Sequence, residues 1–158
     1  MSAQTDPRVK TLYQPETVAE LKERLGRLAP DSPRQWGKMT PAQALAHCAV
    51  AMEMALGRTK PKRVLLGYVF GRIAKRSLVD RGEPMRRNSP TAPSLIVADE
   101  RDLAAERERL VGAIDGFIAA GPEGCTTHPH LFLGRLTPPE WAALMYQHID
   151  HHLRQFGV

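Results

Sequence analysis

Residues 137–158 read TPPEWAALMYQHIDHHLRQFGV, and the fold reading starts here. Thr137 with Glu140 three positions on forms a capping box, and Pro138 at the first helical position marks the same start. The pattern predicts a helix to about Gln155, closed by Gly157. On a helical wheel of about 100° per residue, Trp141, Met145, Ile149 and Phe156 share one side. His148 and His152 fall inside that apolar sector and His151 on its flank. Asp150 points the other way, so Asp150 and Arg154 are expected in solvent. His148 and His152 stand four apart, roughly 6 Å along the axis. Each ring nitrogen buried in such a stripe needs a polar partner. A metal ion supplies one to both rings at once.

Four more stretches have helical periodicity. In residues 16–29, Val18, Leu21, Leu25 and Leu28 form one stripe, with Thr17 and Glu20 as a candidate capping box and Pro30 beyond the end. The second, to Leu56, starts at Thr40-Pro41-Ala42-Gln43, again cap, proline and box, and Gly57 is its stop. Ala44, His47, Ala51 and Ala55 on one side let a neighbouring helix approach closely. The third, residues 62–79, is apolar on one side and basic on the other. The fourth, residues 100–120, starts behind Asp99, places Leu103, Leu110, Ile114 and Phe117 on a core face and ends at Gly121-Pro122. Residues 82–93, with Pro84, Pro90 and Pro93, read as an irregular connection, and residues 121–134 as a loop carrying His128 and His130. Ser94 to Ala98 is the one strand candidate and stands alone. The expectation is an all-α chain: a four-helix bundle with an extra basic helix in the long connection between its second and third members, a link long enough for a crossover.

The 158 residues predict one domain, 1–158, large enough to fold without staples. The two cysteines, Cys48 and Cys125, imply no disulfide framework, and a reduced, cytoplasmic setting is expected. The first ten residues lack an apolar leader core, and the longest apolar run, residues 64–74, is too short to span a bilayer.

Two imidazoles do not close a metal site. From the residues, His47, His128 and His130 are candidates for the third ligand. His47 is preferred, because it sits mid-helix among small residues where a second helix brings rings close. Cys48 beside it, about 100° away, reads as a small core residue. Hydrogen-bonded core histidines are the competing explanation. Glutamate does not follow His148, so the metalloprotease motif fails at Ile149. Three neutral imidazoles leave a coordination position open, as catalytic sites do, and suit zinc, nickel or copper.

A mid-helix histidine early in the chain with HxxxH on the last helix resembles the DinB/YfiT-like superfamily of metalloenzymes, and within it a subfamily of unassigned function. The residues that carry the likeness are WGKMTPAQALAHC (36–48), HPHLFLGRLTPPEW (128–141) and HHLRQFGV (151–158). The resemblance implies a four-helix bundle of crossover order, a divalent metal, zinc or nickel foremost, on His47, His148 and His152, and homodimers. It also implies transferases or isomerases acting with low-molecular-weight thiols, although no residue here selects a thiol. His151 is expected in solvent, and His128-Pro129 is expected to shape its loop.

Charge is uneven. Residues 58–87 hold ten Lys/Arg against two acids, about +8, which leaves the rest of this +5 chain near −3. A basic amphipathic helix suits a membrane surface, a phosphate or a solvated face. Only Tyr68 and Phe70 are available there to stack bases, so nucleic acid is disfavoured. Attraction of acidic small molecules toward the site is physically reasonable. These residues fit a metal-dependent, transferase-like enzyme or a non-catalytic binding module.

Overall fold

The computed structural model describes residues 8–158, and among them every regular element is helical. The expectation that the chain opens without a leader falls largely on residues 1–7, outside the described residues.

Five α-helices form: α1 (Pro15–Arg27), α2 (Pro41–Ala55), α3 (Leu65–Lys75), α4 (Leu103–Ala120) and α5 (Pro138–Gln155). A π-helical turn, Arg76–Asp80, continues α3, and single 3₁₀ turns occupy Pro93–Leu95 and Pro122–Gly124. The two capping boxes with proline form as read. Thr40 Oγ1 accepts from Gln43 N while Gln43 Oε1 accepts from Thr40 N, and Thr137 with Glu140 repeats the exchange.

Two starts differ from the sequence reading. Thr17 lies inside α1, and the cap is Gln14, whose Oε1 takes hydrogen bonds from Thr11 N and Thr17 Oγ1. No side chain caps the first amides of α1; its start is set by Pro15, whose fixed φ suits the first helical position. α4 begins behind Asp102, whose Oδ1 accepts from Ala105 N at 2.8 Å, and not behind Asp99, which pairs with Arg101. Residues 94–98 form no strand; Ser94 and Leu95 complete a 3₁₀ turn.

α5 is the central rod. α2 packs along α4 and α5, α1 lies against α5, and the π turn covers α5 from another side. Almost every residue from Glu140 to Gln155 is therefore buried. This overturns the solvated placement of Asp150, which is 7% exposed. Its carboxylate accepts from Arg24 Nη1 on α1 at 2.7 Å and from Arg154 Nε at 2.8 Å. A wheel reads one helix against water, but α1 stands where the wheel places solvent. Arg154 alone keeps the expected exposure.

α3 is held by backbone contact. A Cβ on Gly67 would sit 2.6 Å from the Phe132 carbonyl oxygen, and one on Gly71 would collide with the same atom. The helix thus lies directly on the loop before α5, with Gly67 and Gly71 inward and its large apolar side chains outward.

Candidate metal centre

Three imidazoles meet in the interior. α2 contributes His47, and α5 contributes His148 and His152 from successive turns. All three are buried, 4–9% exposed. Their ring centroids form a near-equilateral triangle with sides of 4.7, 4.9 and 4.9 Å, each pair edge-on at 75–79°. One nitrogen of each ring lies within 4.8 Å of the others, and His148 Nε2 is 2.8 Å from His47 Nε2. Three nitrogens each about 2.0–2.1 Å from a common ion lie within that spread.

The surrounding hydrogen bonds orient the rings. His47 Nδ1 is 2.7 Å from the Leu95 carbonyl, which only accepts, so Nδ1 carries the proton and Nε2 is left as a lone pair. His152 Nδ1 is 2.8 Å from Gln155 Oε1. The amide of Gln155 is itself oriented, because its Nε2 donates to the Trp36 carbonyl at 2.9 Å. His152 Nδ1 therefore donates as well, and its Nε2 is the free nitrogen. Gly37, at φ 77°, makes room, since a Cβ there would lie 2.5 Å from the Gln155 amide nitrogen. A ligand ring whose second nitrogen donates to a carbonyl or amide oxygen is how metal-binding histidines are held.

Burial keeps the rings neutral. It lowers the pKa of His47 despite the opposing Leu95 hydrogen bond. Burial, then repulsion from a charged His47, takes His152 down to about 3. Burial, His47 and His152 together hold His148 well below its ordinary value. At neutral pH the cluster thus offers unprotonated nitrogens without paying for their deprotonation.

The remaining histidines have other work. His130 Nδ1 accepts from the amides of Phe132 and Leu133, and burial, then the Arg63 charge, lowers its pKa to about 4. His128 Nε2 meets the Pro61 carbonyl at 3.2 Å. Both shape the loop before α5 and stand outside the triangle. His151 is half-buried, not solvated: its ring lies 5.1 Å from that of His152 and 5.3 Å from that of Trp36. Arg87 stacks on the other side chain of this edge, 4.3 Å from the Trp36 ring. Cys48 is a buried free thiol raised in pKa by burial, and Cys125, also free, is pushed up to about 11.

Leu95 and Gln155 had escaped sequence reasoning as partners of the site. Gln155 was detectable, because it lies three residues after His152 on the same helix face. Nothing local marks the Leu95 carbonyl.

A buried triangle of neutral histidines, assembled by two helices and with two of its rings oriented from their outer nitrogens, describes a helical protein with a candidate metal centre. The model of the family described as "Protein of unknown function (DUF1569)" matches residues 11–157, and the chain belongs to that family. No curated protein and no solved structure matches it.

Proposed function

We propose that His47, His148 and His152 bind one divalent cation, zinc or nickel, in a single-domain, DinB-like four-helix bundle of crossover order. One observation carries this reading: three buried imidazoles converge while Leu95 and Gln155 occupy the outer nitrogens of two of them. Core histidines that serve packing alone need partners for both nitrogens. Here His47 Nε2 meets only another imidazole nitrogen, His148 Nε2 at 2.8 Å, and the outer contact of His152 is at Nδ1; one ion would take a nitrogen from each of the three rings.

A metal on three neutral histidines keeps a position open, where it acts as a Lewis acid or lowers the pKa of a bound group. That supports a metal-dependent transferase acting with a small thiol in a reducing cytoplasm. His151, Trp36 and Arg87 lie along one edge of the site, and an anionic substrate would meet the Arg87 charge there. The competing reading, a non-catalytic binding module, is favoured by one feature that the metal centre does not use, the exposed face of α3.

Elemental analysis of untagged protein tests the proposal. About one metal per chain is expected, with near-complete loss in His148→Ala. A fully loaded His148→Ala variant would show that the ligands lie elsewhere.

A further inference from the structure

α3 is inverted relative to an ordinary surface helix. Its small residues, Gly67 and Gly71, face the protein, whereas Leu65, Leu66, Tyr68, Val69, Phe70 and Ile73 are 51–82% exposed. Those six are most of the large hydrophobic side chains exposed among the described residues. At about 100° per residue, Leu65, Val69, Ile73, Leu66 and Phe70 follow one another around one continuous outward stripe, with Leu65 at one edge and Phe70 at the other. Isolated exposed apolar residues are normal, but a contiguous patch of this kind marks an interaction surface.

The charges around the stripe identify what covers it. From residue 54 to residue 79 there is no Asp or Glu, while Arg58, Lys60, Lys62, Arg63, Arg72, Lys75 and Arg76 all occur. Lys75 is engaged with Glu140, and Arg63 lies over the Tyr68 ring and donates to the Gly67 carbonyl. Arg58, Lys60, Lys62, Arg72 and Arg76 are exposed. Arg72 and Arg76 project close to the Leu65 edge of the stripe. A second copy of the chain laid on this face would bring the same cations against one another, with no acid from this segment to answer them. An anionic bilayer satisfies both halves. Its acyl boundary takes the apolar stripe, and its phosphates meet the Arg and Lys side chains of the same segment.

We propose that the outer face of α3 seats the protein on an anionic lipid surface, lying in the interface plane. No helix among the described residues is long and apolar enough to cross a membrane, so the contact is peripheral. It is independent of metal binding, because the stripe faces away from the protein body.

Cosedimentation of the full chain with vesicles tests this. Vesicles of phosphatidylcholine mixed with phosphatidylglycerol should carry the protein down at low ionic strength, and phosphatidylcholine alone should not. High salt should release it several-fold, since exposed charge pairs are screened. Val69→Glu combined with Ile73→Glu should weaken binding about tenfold or more while the helical circular dichroism and melting temperature stay unchanged. A second variant, Leu65→Trp, should show a blue-shifted emission on adding anionic vesicles. Failure of the unaltered protein to sediment with anionic vesicles overturns the proposal, as does undiminished binding by the double variant. Light scattering that shows a dimer in the parent and a monomer in the double variant, with no vesicle binding by either, would assign the face to a second copy.

Discussion

Gln155 stands between Trp36 and His152: its amide nitrogen donates to the Trp36 carbonyl at 2.9 Å, and its amide oxygen takes the His152 Nδ1 proton at 2.8 Å. One side chain thereby sets both the tautomer and the tilt of an imidazole, and ties the end of α5 to the segment that leads into α2. Gln155→Leu keeps the volume and removes both contacts. We expect metal affinity to fall about 10–100-fold, as for other partners of ligating histidines, with the fold retained. Competition with a chromogenic chelator measures it; unchanged affinity would deny Gln155 any orienting role.

The metal-free protein should lose stability as the solution is acidified. His130 has a folded pKa of about 4 and His152 of about 3, against 6.5 in the unfolded chain. Between those limits the unfolded state binds protons that the folded state refuses, so stability is complete above about pH 6.5 and declines below it. Each group contributes a slope of up to about 1.4 kcal/mol per pH unit. Urea unfolding of chelator-treated protein at pH 7.5 and pH 5 checks the sign. A midpoint that rises on acidification would contradict neutral buried imidazoles.

The Arg24–Asp150 pair is buried on both sides, with each side chain 10% exposed. Asp150→Ala leaves Arg24 in a poorly solvated place with only the more distant Glu20 carboxylate, at 3.4 Å, and the Val158 carbonyl as partners. The cost should be about 2–3 kcal/mol, below that of a buried charge left wholly unpaired. Arg154→Ala removes the outer partner of the Asp150 carboxylate, but that side chain is 63% exposed, and the loss should stay under about 1 kcal/mol. Denaturant titrations of both variants decide whether burial sets the difference.

Gly71→Ala places a methyl group against the Phe132 carbonyl, which is backbone and has little room to give. α3 should lift from the loop before α5. Hydrogen exchange should accelerate across Leu65–Lys75 while α2 and α5 keep their protection. Equal protection in variant and parent would mean that α3 is not seated through its glycines.

Much of this architecture was legible in one dimension because its causes are local. The boxes at Thr40/Gln43 and Thr137/Glu140, the prolines behind them and the glycines at Gly57 and Gly121 act within one helical turn. They placed α2 and α5 closely and the end of α4 to the residue. Local rules failed at α4, where Asp102 and not Asp99 is the acid that reaches an orphan amide, and at α1, which starts at Pro15 with no side-chain cap at all.

By itself, the sequence determined that the chain is helical and that His148 and His152 share an inward face, because 3.6-residue periodicity and capping chemistry are properties of a short segment. The sequence preferred His47 over His128 and His130 from its mid-helix setting, but its meeting with His148, 101 residues later, and its hydrogen bond to the Leu95 carbonyl came only with the packing of the helices. Tertiary structure alone decided that Asp150 is buried by Arg24 and that α3 turns its apolar side outward. Each of these depends on which surface another helix or loop occupies, and a residue's own neighbours in sequence carry no record of that.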